Sequence, residues 1–240
     1  MKKILLLAII LLAFGFVKQA HAAITFDATS TVTRTGVTVA TTTITVNSGS
    51  NEALIILDAW GNATSALTGI TVDGVSVPTS TQFDTGSRHA AIGVITNIAA
   101  GTHNVSTSYA ANCQVGLTVA SFFGVNQSTP VDATSTKTAT QPVASDTITT
   151  TVANDLIVDV VDLGGTATTT SLGVNQTYLA KNLLTGANNG STDYQVVTST
   201  QTYNPILNLS KPAQFVMVTA AIEPAPVSAT TAAKWIWWGE

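Results

Sequence analysis

Along residues 51–60 the side chains alternate with a period of two: Leu54, Ile56, Asp58 and Trp60 fall on one side and Ala53, Ile55, Leu57 and Ala59 on the other. Both sides are apolar in the middle of the run, so it predicts a strand near the centre of a packed sheet. Residues 154–163 repeat the arrangement: an Asn and an acid, an apolar run, then acids again at the end. Two sheet centres are therefore expected.

The same alternation predicts the neighbouring strands. A short opening strand is expected at 24–27 and a long Thr-rich one at 37–46, with a turn at Asn47-Ser48-Gly49-Ser50 leading into the first centre. Ile70-Thr71-Val72 and Val75-Ser76-Val77 flank Asp73-Gly74. An Asp-Gly pair between β-branched residues predicts a type I′ hairpin, because that turn needs positive φ at both central positions. Pro78 ends this ladder by removing a donor. Further strands are expected at 88–97, 102–109 and 113–123, and residues 124–130, rich in turn formers, mark a crossing between halves. The second half predicts strands at 147–152, 174–181, 193–198, 206–210 and 215–222 around its own centre.

Comparing halves, residues 51 and 154 are offset by 103, and residues 119 and 218 by 99. This suggests an internal duplication, against the alternative that any two Thr- and Val-rich strands look alike. Short, closely spaced strands with no amphipathic helical window predict an all-β chain. The expected architecture is a single antiparallel β-sandwich, jelly-roll-like or Greek key, with two similar halves left open. The expected organisation is a signal peptide at 1–22, a β-sandwich domain at 23–226, and a linker with a Trp-rich C-terminal tail at 227–240.

Composition supports the strand reading. Charged residues make up only 9% of the chain, against about 25% in ordinary soluble domains, and Thr and Ser stand in their place. Hydroxylated β-branched residues suit the solvent face of strands and disfavour helix. A net charge of -4 with nine Lys and Arg leaves no basic stripe to follow phosphates, which argues against nucleic acid as a partner. Lys2 and Lys3, the apolar run 4–17 and Ala20-His21-Ala22 before Ala23 read as a cleavable signal peptide of bacterial type. The expected location is therefore secreted or cell-surface, with no transmembrane helix once the signal is removed. Cys113 is the single Cys, so no disulfide can form within the chain, and nothing beside it in the sequence would lower its pKa.

Several segments carry a resemblance. They are Ile24-Thr25-Phe26-Asp27-Ala28, the Gly49-Ser50-Asn51 turn, the hairpin around Asp73-Gly74 with Thr68-Gly69 before it, Ala100-Gly101-Thr102-His103-Asn104-Val105, Ser121 to Asp132, and Val152-Ala153-Asn154-Asp155-Leu156. In these the chain resembles a loose group of uncharacterised secreted and phage-associated Thr-rich β-sandwich domains. The resemblance spans most of the mature chain but not the tail, and it implies a fold without implying any chemistry. Phe123 stands where a smaller residue is more usual in that group.

The candidate sites are few. Asp58, Asp159 and Asp162 lie at or near the ends of the two central strands, where a Ca²⁺ site or a pair of glycosidase carboxylates could form. Solvated loop-end carboxylates are the commoner alternative, no Asp-rich calcium loop is present, and no cofactor is expected. His89 and His103 lack metal-ligand spacing. Trp60, Tyr203 and Asn204 are candidates for glycan contact, with the core as the competing place for Trp60. Trp235, Ile236, Trp237 and Trp238 form an apolar cluster suited to a partner or a membrane interface. No catalytic cluster is visible. The expected function is a secreted, non-enzymatic surface or appendage module for adhesion or assembly, meeting a cell-surface or protein partner. A carbohydrate-binding module is the alternative, and a glycoside hydrolase is a third reading.

Overall fold

A computed structural model describes residues 21–61, 65–84, 86–184 and 188–227. The expected signal segment before His21 and the Trp235–Trp238 cluster lie outside the described residues. The described chain is antiparallel β throughout. Its first seven strands are β1 (Thr25–Val46), β2 (Ala53–Gly61), β3 (Leu67–Val72), β4 (Val75–Val77), β5 (Thr79–Asp84), β6 (His89–Thr96) and β7 (Gly101–Phe123). The others are β8 (Val131–Ser145), β9 (Ile148–Thr149), β10 (Leu156–Gly164), β11 (Thr169–Leu172), β12 (Thr177–Lys181), β13 (Asn188–Val196), β14 (Thr202–Tyr203) and β15 (Ile206–Ile222).

Two sheets carry the fold, in the orders β4-β3-β7-β2-β6-β5 and β11-β15-β10-β13-β12. In the first, β1 runs along the whole of β7, while β3 pairs with the first part of β7 and β2 with the second. In the second sheet β8 runs along β15, with β11 on its first part and β10 on its second. The topologies of the two halves therefore match, except for β4 in the first and the paired β9 and β14 in the second. Ala53 pairs with Phe122 and Leu156 with Ile222, so the second central strand is displaced by 103 residues and its partner by 100. The matching turn is repeated too: Asn51 and Asn154, each before an acid and a central strand, both take positive φ.

Six expected strands are parts of three long ones: 24–27 and 37–46 fall in β1, 102–109 and 113–123 in β7, and 206–210 and 215–222 in β15. β7 and β15 each bend in the middle, where their ladders skip between Ser108 and Cys113 and between Asn208 and Ala213. The bend folds β1 over as well, so that the Ser30 and Thr42 hydroxyls meet at 2.8 Å although twelve residues separate them. Such folding gives each half an interior of its own and makes the first sheet nearly a closed barrel. Leu54, Ile56, Trp60, Val105, Tyr109, Val115 and Leu117 fill the first interior. The opposite faces of β2 and β10 pack against each other, where Ile55, Leu57, Phe122, Leu156, Val158 and Val160 make the layer between the sheets. Both centres are thus apolar on both sides, as their sequences require.

Gly124 holds the junction where the first half ends. Its φ is +78°, and a Cβ there would stand 2.6 Å from the Ala23 carbonyl oxygen. Gly124→Ala combines left-handed strain with a backbone clash and is expected to cost about 2 kcal/mol. Gly69→Ala meets nothing within 4 Å and has an ordinary φ, so it should change stability little. Urea midpoints of the two variants would check the contrast.

Candidate functional site

The three carboxylates singled out in the sequence do not converge. Asp58 points into the first interior beside Leu54, Ile56 and Trp60. Asp159 points into the second, while Asp162, three residues on, faces the layer between the sheets. An odd spacing on a strand sends the two side chains to opposite faces. None of them is a solvated loop-end acid: all three are fully buried. Among the described residues no group of three His, Cys, Asp or Glu is placed to hold a metal ion.

Each acid instead belongs to a separate buried network. The Tyr109 hydroxyl donates to Asp58 Oδ2 at 2.6 Å and lies 2.6 Å from Thr107 Oγ1, while Asp58 Oδ1 has no partner. Burial pushes Asp58 up to about 7, against the lowering by the Tyr109 bond. The same burial, with the Asp58 charge beside it, raises the Tyr109 hydroxyl. Asp162 accepts from the His89 backbone N–H at 3.2 Å and lies 3.7 Å from Arg88 Nη1, which itself donates to the Leu163 carbonyl at 2.9 Å. Burial raises Asp162 well above the usual carboxylate range although Arg88 opposes it.

Asp159 has the most crowded surroundings. It sits directly opposite Asp193 on β13 and Thr219 on β15, whose hydroxyl donates to Asp159 Oδ1 at 2.5 Å. Gln176 donates to Asp193 Oδ1 at 2.7 Å, and the Asp146 charge also acts on Asp159. These polar groups divide the second interior: Val161, Leu163, Phe215 and Met217 pack on one side, and Ile157, Val197 and Ala221 on the other. Burial, then the charge of its neighbour, holds Asp159 well above its usual range, and burial raises Asp193 too. A fifth acid, Asp155, is raised to about 8 by burial and by the Asp132 carboxylate beside it. Sequence reading missed Asp193 because nothing in its local pattern shows which residue will face Asp159 across the ladder.

Trp60 belongs to the core. It is fully buried, donates from Nε1 to the Ser65 carbonyl at 2.6 Å, and stacks on His89 with ring centroids 5.1 Å apart. It offers no surface to a sugar, which corrects its place among the glycan candidates. Tyr203 is half-buried against the Ile157 cluster, and its hydroxyl donates to the Ser199 carbonyl at 2.7 Å; Asn204 beside it is exposed. His89 Nδ1 lies 2.7 Å from Asp84 Oδ1. His103 is clipped between Asp73 and the Ala99 carbonyl, both at 2.7 Å, and so pins the Asp-Gly hairpin to β7. Cys113 is buried, with its thiol raised by burial.

Two surface features have no counterpart in the sequence reading. One is a cavity of about 500 Å³ lined by His21, Thr151, Val152, Ala153, Thr198, Ser199 and Thr200. The other is the meeting of the two ends of the described chain. His21 bridges Pro226, the Ala22 N–H donates to the Ala225 carbonyl at 2.8 Å, and Val125 bridges Pro224. Fold and site together define an all-β, sandwich-like protein in which Asp58, Asp159, Asp162, Asp193 and Cys113 are turned inward. No family model matches the chain, and no curated protein matches it significantly. Among the described residues no helix is long and apolar enough to cross a membrane.

Proposed function

We propose that this chain is an exported surface or appendage module, acting in adhesion or assembly rather than catalysis. The observation that carries the reading is the inward placement of Asp58, Asp159, Asp162, Asp193, Cys113 and Trp60, leaving hydroxyl-rich strands outside. A catalytic acid needs access to its substrate. Here one oxygen of each carboxyl is held by Tyr109, Thr219, Gln176 or the His89 backbone, and the other is buried away from solvent.

The exterior supports the same reading. Exposed cross-strand pairs such as Thr41–Ser106 at 2.8 Å, Thr45–Thr102 at 3.1 Å and Thr149–Thr202 at 2.8 Å satisfy each other's hydroxyls. A low-charge surface of this kind steers partners weakly at a distance and engages them through shape and hydrogen bonding. Cells that lose the gene are expected to attach less well to their surface or partner cells, with attachment restored by the full chain. Attachment unchanged by the loss, or turnover of a polysaccharide by the purified protein, would overturn the proposal.

A further inference from the structure

We infer that the cavity between residues 151–153 and 198–200 is a binding site for a neutral saccharide. This names the kind of partner that the proposed surface module would meet, and it rests on that reading.

The two otherwise matching halves differ at this place. Between its long edge strand and its central strand the first half has six residues, 47–52, and the second has ten, 146–155. β6 passes to β7 through four residues, 97–100, whereas β13 reaches β15 through nine, 197–205. The bases of the first pair of turns are alike: Asp27 accepts from the Asn47 N–H at 3.1 Å, and Asp132 from the Thr151 N–H at 2.6 Å. The first half thus completes its sheet without the extra residues. In the second half they pair with each other as β9 and β14, and the cavity lies between the two longer loops. Loop extensions that a scaffold does not require are where binding residues collect.

Both loops are held in place from behind. Thr150 Oγ1 lies 3.4 Å from the Ser199 and Gln201 carbonyl oxygens, and the Thr150 N–H donates to the Gln201 carbonyl at 3.1 Å. The Val197 N–H donates to the Asp155 carbonyl at 2.9 Å, which ties the start of one loop to the end of the other. A preformed site loses less on binding than one that must first order itself. Tyr203, expected as a glycan contact, is here a positioning residue, since its hydroxyl donates to the Ser199 carbonyl at 2.7 Å. His21 completes the lining, its Nδ1–H donating to the Pro224 carbonyl at 3.3 Å. Removal of the segment before Ala23 would widen the mouth and leave both loops.

The lining selects the ligand. Thr198, Ser199 and Thr200 are exposed, and among the described residues the Thr198 and Thr200 hydroxyls have no partner. Each hydroxyl can donate and accept, which suits a ligand carrying hydroxyls of its own. Val152 and Ala153 add a small apolar wall for the C–H face of a sugar ring. Among the described residues no large hydrophobic side chain lines the cavity to hold a lipid tail or a peptide anchor, and no Lys or Arg lines it to hold an anion. Asp132, bonded to Thr151, and the buried Asp155 stand behind the first loop and disfavour negative charge. The volume of about 500 Å³ falls within the roughly 300–1,000 Å³ of small-molecule sites.

The full chain, isotope-labelled and recovered from its host with its natural processing, can be titrated with glucose, galactose, mannose and N-acetylglucosamine while its amide resonances are followed. The expected result is a saturable shift of the amides of residues 151–153 and 198–200 with at least one of these sugars. Thr200→Trp, which fills the space from an exposed position, should weaken that binding about tenfold or more. Thr198→Val, which keeps the shape and removes a hydroxyl, should weaken it several-fold. Glucuronate should bind about threefold more weakly than the best neutral sugar at low salt. Absence of a saturable shift with any of these sugars, shifts confined to other residues, or binding unchanged in both variants would overturn the inference. So would glucuronate bound as tightly as the neutral sugars, or the same amides answering triglycine and no sugar. If the site falls while the full chain still restores attachment, the surface-module reading stands. Failure to restore attachment would remove that reading as well.

Discussion

The melting temperature should rise by about 10 °C as the pH falls from 8.5 to 5, the reverse of ordinary acid lability. Asp58 and Asp155 are raised from 3.8 to about 7 and about 8, and Asp159, Asp162 and Asp193 are raised as well, in each case chiefly by burial. A group whose folded pKa exceeds its unfolded value stabilises most below the unfolded pKa and loses that contribution as pH rises through the folded one. Between pH 4 and 8 the folded chain keeps protons that the unfolded chain releases, so unfolding becomes easier as the pH climbs. A shift of about three units at Asp58 corresponds to roughly 4 kcal/mol as an upper bound. His103, raised by its bonds to Asp73 and Ala99 against desolvation, acts in the same direction.

The acid limit is set by other carboxylates. Hydrogen bonds outweigh desolvation at Asp27 and Asp132, and lower Asp73 through the Asn104 backbone and His103. Their stabilisation is present above pH 4 and is lost as pH falls through their folded values. Stability should therefore peak near pH 4 to 5. Melts from pH 3 to 9 would show it. Asp58→Asn should flatten the alkaline arm and raise the melting temperature at pH 8.5 above that of the parent, since an amide has no charge to bury. A flat profile between pH 5 and 8.5 in the parent, with Asp58→Asn indistinguishable from it, would refute the assignment.

Trp60→Ala should destabilise the protein by about 3 to 5 kcal/mol, the range for removing a buried aromatic side chain. Trp60 fills the first interior, stacks on His89, lies 5.6 Å from the Tyr109 ring and donates to Ser65. Trp60→Phe keeps a ring but leaves the Ser65 carbonyl without that donor, and should cost about 1 to 2 kcal/mol. Chemical denaturation of both variants separates packing from hydrogen bonding. A midpoint for Trp60→Ala within error of the parent would mean the indole does not hold the core.

The strands were legible where burial imposes a period. Residues 51–60 and 154–163 are apolar on both faces because each is covered on both, and this placed β2 and β10 at the sheet centres. The Asp73-Gly74 turn was legible because only the turn's own backbone decides it: both residues have positive φ, 51° and 80°. β8 was not legible. It lies at a sheet edge with a mostly exposed or half-buried pattern, so its Thr, Ser and Ala residues carry no apolar alternation. The expected strand at 147–152 shrinks to the two residues of β9 for a related reason: Thr is equally at home in turns and on solvent faces. The expected strand at 174–181 begins only at Thr177, because residues 173–176 form a turn that Gln176 closes by accepting from the Gly173 N–H at 3.0 Å.

By itself, then, the order of residues determined an all-β chain, its two centres, its Asp-Gly hairpin and which side chains share a face of the central strand. Tertiary structure alone decided which strands are neighbours and how the two long strands bend into folded sheets. It also set Asp193 against Asp159, Arg88 against Asp162, and His21 against Pro226. The physical reason is that alternation encodes a face, which is local, whereas a partner across a ladder is chosen by the packing of segments up to two hundred residues apart.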